Sequence, residues 1–428
     1  MLITKKLRYL RQLQRQQWLT SAELSELQNR NLRRLIAHAY THVPYYKQLF
    51  DEYGILPTDI NGIDDLPKIP VLTKKILQQG KGSNSLAGNI AFDKLLAIST
   101  SGSTGLPLTI RRTEEEDIYG GLRMTRAVLA NGIRPWQKRV NIVAPKRITG
   151  NQSLWRRISR KTYSLPATLD VLDQIKILRR FNPQLIFGYK SSLERLAHAV
   201  ERFEVKDITP RFVVSTAELL KESTRDFIDR VFGVRMIDIY ASVEANCIAW
   251  ECPDHYGYHL DTDTLVVEFI RDGKPVKKGE PGRIVITLLY RYAMPLVRYD
   301  LGDIGIPSGK QCPCGRGLPL MEMIQGRADD FITLPGGGTI APTGAFANSI
   351  EDKPGVMEYR VIQEDYDLIT IELVVDGVDG LHVAGQVKRD IEDLVQNEAA
   401  IRVKVVDCID RKAEDKIRRI ISKVPTSF

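Results

Sequence analysis

The stretch Met236-Ile237-Asp238-Ile239-Tyr240-Ala241-Ser242-Val243-Glu244 decides how this chain is read. Its short apolar and aromatic run predicts a buried strand that ends near Tyr240. Runs of the same kind come earlier: Val140-Asn141-Ile142-Val143-Ala144, Leu185-Ile186-Phe187-Gly188 and Phe212-Val213-Val214-Ser215. Helical periodicities at 118–131, 169–180, 191–203 and 218–231 separate them. Short apolar strands alternating with helices predict a mainly parallel sheet with helices on its faces. After Tyr240 the pattern changes. Leu265–Ile270, the turn Arg271-Asp272-Gly273-Lys274 and Arg283–Leu288 predict an antiparallel part. Strand patterns near 358–363, 368–375 and 401–407, with a helix near 382–396, predict a small α+β unit at the end. The fold class is therefore α/β, with a large N-terminal domain over 1–328 and a small α+β domain over 329–428.

Upstream, residues 1–55 read as helical, with Thr20 and Glu23 placed as a capping box and Val43-Pro44 as a break. Residues 56–90 are rich in turns, with a short helix near 73–79. The 428 residues, 43% hydrophobic and 27% charged, suit a globular protein with a sizeable core. No apolar run approaches the roughly 18 residues of a membrane span. Met1–Leu7 lacks the pattern of a signal peptide, which gives the expectation of a cytoplasmic protein. The net charge of +8 suits anionic small molecules and requires no nucleic acid. The basic clusters Lys5–Arg15 and Trp155–Lys161 contain no recognition module and read as solvated faces before phosphate or membrane-surface contacts.

Chemistry gathers in five places. Ser99-Thr100-Ser101-Gly102-Ser103-Thr104-Gly105-Leu106-Pro107 is built of hydroxyls and glycines that can turn backbone N–H groups onto an anion, although a flexible linker has the same composition. Tyr240 with Asp238 and Glu244 at a strand end can stack a base, meet its amine and hold Mg²⁺. Asp303, after Gly302, can approach a ribose diol, and Arg327 can reach a ribose or a phosphate. Lys416 stands in a charged run near the C-terminus. Each of these places also fits a bland surface role. Four of the five cysteines fall in two groups, and Cys252, His259, Cys312 and Cys314 form a candidate tetrahedral Zn²⁺ site. His255 and Cys247 are the alternative ligands.

Taken in order, these motifs resemble the adenylate-forming (AMP-forming) ligases, and within them the phenylacetate–CoA ligase family with its capsular-polysaccharide-biosynthesis relatives. The resemblance runs from Ala39-Tyr40-Thr41-His42-Val43-Pro44-Tyr45-Tyr46 to Ile420–Pro425. It implies ATP and Mg²⁺ between a large and a mobile domain, with coenzyme A as the second substrate. Ser101, Gly102, Ser103, Thr104 and Gly105 would wrap the β- and γ-phosphates. Tyr240, Asp238 and the turn Thr216-Ala217-Glu218 would line adenine, Asp303 and Arg327 would hold the ribose, and Glu244 would hold Mg²⁺. Lys416 would bridge the substrate carboxylate and the α-phosphate, and Asp329 would be the hinge. The Cys252–His259 spacing also occurs in zinc-containing members of the branch. Ile142, Ala144, Gly188, Tyr189 and Ala217 are the candidate acyl-pocket residues. The resemblance leaves the oligomeric state open, a homodimer included.

The chain departs from the family pattern at Ala241, where Gly is usual, and at Val243, where a hydroxyl is usual. Asp415 replaces the Gly before the lysine, and Leu108 stands where a later lysine can occur. Two rival readings follow: transfer of the acyl group to an amine or hydroxyl, and a nucleotide-binding protein with a decayed ligase site.

Overall fold

The computed structural model describes residues 2–78, 83–99, 108–145, 161–327, 331–341, 345–409 and 420–424. Three helices open the chain: α1 (Leu2–Gln16), α2 (Ser21–His42) and α3 (Pro44–Tyr53). The expected capping box starts α2, with the Glu23 amide donating to Thr20 Oγ1 at 3.3 Å and the Thr20 amide to Glu23 Oε2 at 2.8 Å. Pro44 at the first position of α3 makes Val43 the joint between two helices. Strand β1 (Leu95–Ser99) pairs antiparallel with β2 (Thr109–Thr113), Ser99 opposite Thr109. Helix α4 (Glu114–Ala130) follows, started by a second capping box at Thr113 and Glu116.

The alternating region is as expected in type. It runs β3 (Arg139–Val143), β4 (Thr162–Pro166), α5 (Val171–Phe181), β5 (Leu185–Tyr189), α6 (Lys190–Arg202), β6 (Phe212–Thr216), α7 (Glu222–Phe232) and β7 (Ile237–Ser242). Strands β4, β3, β5, β6 and β7 pair in parallel in that order. Helices α5, α6 and α7 bury Leu178, Leu196 and Ile228 against Val140, Ile186 and Val213. At β7 the direction reverses, where the sequence pattern changes. There follow β8 (Asn246–Glu251), β9 (Tyr258–Leu260), β10 (Leu265–Arg271), β11 (Lys274–Pro275), β12 (Gly282–Leu288), β13 (Tyr299–Pro307) and β14 (Leu320–Arg327). All of these pair antiparallel, in the order β7-β8-β9-β14-β13-β12-β10-β11.

The parallel block and the antiparallel part are thus one twelve-stranded sheet, in which antiparallel pairs are the more numerous. Its antiparallel half packs on α2 and α3 through Leu35, Tyr46, Phe50, Ile286 and Tyr299. The short pair β15 (Ile332–Thr333) and β16 (Thr339–Ile340) comes next, then α8 (Ala345–Glu351). Strands β17 (Val356–Asp365), β18 (Leu368–Val375), β19 (Ala400–Val405) and β20 (Ile420–Ser422), with α9 (Gly380–Leu394) after β18, form a separate four-stranded sheet. It has its own apolar core, including Val361, Ile371, Leu373, Val387 and Ile391. No helix among the described residues is long and apolar enough to cross a membrane.

Candidate functional site

The parallel strands end together along one edge, the place where open α/β sheets collect ligands. Tyr240 stands near the end of β7 there, and its hydroxyl donates to Asp303 Oδ2 at 2.6 Å. Asp303 on β13 is directly opposite Arg327 on β14, and Arg327 Nη1 lies 3.5 Å from Asp303 Oδ1. Sheet register therefore joins residues 24 positions apart. Gly302 takes φ 74°, and a Cβ there would stand 2.7 Å from Arg327 Nη2, so only glycine leaves the guanidinium its place. Burial pushes the Asp303 carboxyl up, and Arg327 opposes that shift. Burial and the neighbouring Asp303 raise the Tyr240 phenol well above its ordinary value, so it stays a donor.

Glu244, Ala241 and Val243 are partly exposed on the same edge. The Tyr299 hydroxyl lies 3.3 Å from Glu244 Oε1, and Arg291 Nη2 donates to the Glu244 carbonyl at 3.2 Å. One side chain fixes the carboxylate and the other fixes its backbone. The next turn is gripped from behind by Arg123 of α4, whose Nη1 donates to the Ala245 carbonyl at 2.9 Å and whose Nη2 donates to that of Cys247. Arg123 Nε meets Asp261 at 3.2 Å, and Arg126 holds Asp263 through two hydrogen bonds of 2.6 and 3.0 Å. All four of these side chains are fully buried. Sequence reasoning did not find this network. Its signal was present as two arginines three apart on a helix face shared with Gly120 and Ala127, and a later Asp-x-Asp.

Two predicted nucleotide contacts sit apart from that convergence. Asp238 is 4% exposed; its Oδ1 accepts from Ser215 and its Oδ2 from the Tyr258 hydroxyl at 2.8 Å. Burial raises its pKa to about 6. Asp238 thus braces β7 from within, with both oxygens engaged. Glu218 accepts from the Ser191 amide at 2.7 Å and hydroxyl at 3.0 Å, at the start of α6. Beside it Ala217 holds φ 67°, an unusual conformation for a residue with a side chain and one concentrated at functional turns. Of the acyl-pocket candidates, Gly188 is opposite Ile142, and the Ala144 amide lies 3.4 Å from the Tyr189 hydroxyl. Ile142 is fully buried in the core beneath the helices. Residues 101–105 of the hydroxyl–glycine loop, Asp329, Asp415 and Lys416 lie outside the described residues.

A second cluster forms at the far end of β8. One donor atom each from Cys252, His259, Cys312 and Cys314 lies within 4.8 Å of all the others. Cys252 Sγ is 3.5 Å from Cys312 Sγ, and Cys314 Sγ is 3.4 Å from His259 Nε2. Ideal tetrahedral zinc would space two sulfurs by about 3.8 Å and a sulfur–nitrogen pair by about 3.5 Å. His259 Nδ1 faces the Leu318 carbonyl at 3.3 Å, the outer contact that leaves Nε2 for a metal. Burial lowers the His259 pKa to about 4, so the imidazole is neutral. Burial pushes the Cys312 thiol up to about 12, whereas at Cys314 hydrogen bonds from Arg316 outweigh burial and lower it. The alternatives are placed elsewhere: Cys247 is wholly buried beside Asp261, Arg123 and Arg126, and His255 faces Glu251 at 3.7 Å.

Comparisons with known proteins cover most of the chain. No family model matches. The chain is 28% identical over 353 residues to the phenylacetate–coenzyme A ligase of Thermus thermophilus, covering 79% of this chain and 78% of that one. It is 21% identical over 371 residues to protein CapK of Staphylococcus aureus, covering 82% and 79%. Among solved structures, 2-hydroxyisobutyryl-CoA ligase in its postadenylation state superposes with a TM-score of 0.77 at 19% identity, covering 96% of this chain and 91% of that one. The same ligase in its thioesterification state gives 0.65, covering 95% and 91%. The chain is thus similar to phenylacetate–CoA ligases over most of its length and shares the fold of 2-hydroxyisobutyryl-CoA ligase.

Proposed function

We propose that this protein uses ATP to convert a carboxylic acid to an acyl-adenylate, and then passes the acyl group to the thiol of coenzyme A. The observation that carries the reading is the meeting of Tyr240, Asp303 and Arg327 at the edge where Glu244 is fixed by Tyr299 and Arg291. Tyr240 offers a buried ring for adenine, and Asp303 with Arg327 forms a polar clamp for the ribose. Glu244 would hold Mg²⁺, which when bound neutralises phosphate charge. In the first step a carboxylate oxygen attacks the α-phosphorus, and the bond to the bridging oxygen breaks with its electron pair leaving on pyrophosphate. In the second step the coenzyme A sulfur attacks the acyl carbon and AMP leaves. Neither step needs a side-chain nucleophile. The first also needs two anions held in line and the developing charge neutralised, and Lys416 is the residue assigned to that task.

The division into domains 1–328 and 329–428 is part of this reading, and the separate four-stranded sheet, with a core that runs from Ile332 to Ile420, supports it. The better superposition on a postadenylation state than on a thioesterification state supports assigning the present arrangement to the first step. Cys252, His259, Cys312 and Cys314 would hold a structural Zn²⁺, since four protein donors leave no open position for water.

Acid-dependent exchange of pyrophosphate into ATP, run over a panel of aryl, acyl and amino acids, tests the reading, and adding coenzyme A or amines then identifies the acceptor. Exchange with at least one acid is expected. Lys416→Ala should slow that exchange by about 10²–10³ while ATP still binds. Tight ATP binding with no exchange for any acid would establish the decayed-site alternative instead.

A further inference from the structure

An ion pair joins the start of α7, on the large sheet's side, to the end of α8, in the C-terminal unit. Lys221 Nζ lies 2.7 Å from Glu351 Oε2, with the two side chains only 17% and 25% exposed. Lys221 stands at the N-cap of α7, one turn beyond the Thr216–Glu218 segment on the site edge. Glu351 is the last residue of α8, and its other oxygen accepts from the Tyr359 hydroxyl at 2.7 Å. Tyr359 is itself 4% exposed in the core of the C-terminal sheet. The carboxylate is therefore anchored in its own unit and aimed at the other.

Local rules disfavour both charges where they stand. An N-cap position prefers a short acceptor side chain, and the positive end of a helix dipole repels a lysine; Lys221 makes no side-chain cap bond. A glutamate at a helix C-terminus meets the negative end. Each residue is poorly matched to its own helix and well matched to the other.

We propose that Lys221 and Glu351 are positioning residues that hold the C-terminal unit in the arrangement used for adenylation and that part before acyl transfer. This rests on the two-step ligase reading above. A partly screened pair of this kind biases a two-state population by roughly two- to fivefold, enough to favour one arrangement without locking it. Because Tyr359 orients Glu351 from within the C-terminal sheet, the carboxylate is positioned to re-engage when the units meet again.

Charge reversal in the full-length chain tests the pairing without any substrate. Lys221→Glu and Glu351→Lys, each alone, should broaden the interatomic distance distribution in small-angle X-ray scattering and speed amide exchange in α8 by roughly two- to fivefold. The double reversal should restore both signals. Lys221→Met and Glu351→Gln provide the same comparison without a repelling charge, should a reversal fail to fold. Unchanged scattering and exchange in the singles, or a double variant that is no closer to the native profile, would overturn the pairing. The catalytic consequence is read with an acid that supports exchange in the native enzyme. The singles should lower pyrophosphate exchange two- to fivefold relative to thioester formation from supplied adenylate, and the double variant should recover the native ratio. A ratio that stays constant overturns the positioning role. A native chain with no exchange for any acid overturns the ligase reading instead, and the scattering result still decides the pairing.

Discussion

The strand-end edge near Glu244 and the corner near Cys252 both bury ionisable groups, but they balance them differently. Behind the edge, two arginines and two aspartates lie fully buried, each guanidinium bonded to at least one of the carboxylates. Their charges cancel within the network, and the spare N–H groups hold the backbone that carries Glu244. At the corner, three thiols and a neutral imidazole face one another, with burial holding two of the thiols protonated. That cluster is the proposed zinc site. A buried network closed on itself is scaffold, whereas four converging thiol and imidazole donors are the set that zinc would take up by displacing the thiol protons.

The comparison breaks most readily at Arg126. Arg126→Met leaves Asp261 and Asp263 buried beside Arg123 alone, and the expected loss is about 3–5 kcal/mol in urea unfolding. A loss below about 1 kcal/mol, the value of an exposed pair, would show that the network is not the scaffold described here.

Asp238, on the strand that the network supports, gives the next largest effect. Burial raises its folded pKa to about 6 from an ordinary 3.8, with the nearby Glu251 adding to the shift and Ser215 and Tyr258 opposing it. Below pH 4 the group is protonated in both the folded and the unfolded chain and contributes nothing. Between pH 4 and 6 the unfolded chain releases its proton first, so stability falls as pH rises, by roughly 3 kcal/mol in all. Asp238→Asn should remove that slope and raise stability above pH 6. Urea midpoints at pH 4, 5, 6 and 7 measure both, and an unchanged slope in the variant would assign the titration elsewhere.

At the corner, the purified chain should contain one zinc per molecule. Chelation should cost about 2.7 kcal/mol of stability relative to a free zinc concentration a hundred times the Kd. Cys314→Ser should lower metal content and bring apo and metal-treated stabilities together. A folded native protein without zinc would contradict the cation reading. The corner also secures the N-terminal helices: the Gly317 amide donates to the Gln17 carbonyl at 3.0 Å, and Arg316 bonds the Gln17 side chain at 3.0 Å. Metal loss should therefore loosen the junction of α1 and α2 first, as amide exchange would report.

How far the sequence revealed these features depended on the range of the interactions involved. Strand and helix alternation through β7, and the reversal after it, were legible because each is a local pattern of two or a few residues. So were the capping box at Thr20 and the grouping of Cys252, His259, Cys312 and Cys314. The short strands β8 and β9 were not, because Asn246–Glu251 shows no alternation while buried on both sides. Nor was the engagement of Asp238 with Ser215 and Tyr258, which depends on strand neighbours 23 and 20 residues away. The Arg123–Arg126 network was hidden because charged residues on a helix are ordinarily read as its solvent face.

The smallest effect concerns the proposed ribose clamp, and an internal control sharpens it. Gly302 and Gly273 both hold φ 74°, so alanine should strain either backbone by a similar amount, about 1–2 kcal/mol. Their surroundings differ. A Cβ at 273 meets nothing within 4 Å, whereas one at 302 would stand 2.7 Å from Arg327 Nη2. Gly273→Ala should therefore lower stability and leave ATP affinity unchanged. Gly302→Ala should lower stability by a comparable amount and also displace Arg327 from Asp303, weakening ATP binding roughly three- to tenfold. Calorimetric titration with ATP beside urea unfolding separates the two effects. Equal ATP affinities in the two variants would mean that Arg327 does not need its place against Asp303 to hold the nucleotide, and the clamp would then reduce to Tyr240 and Asp303 alone.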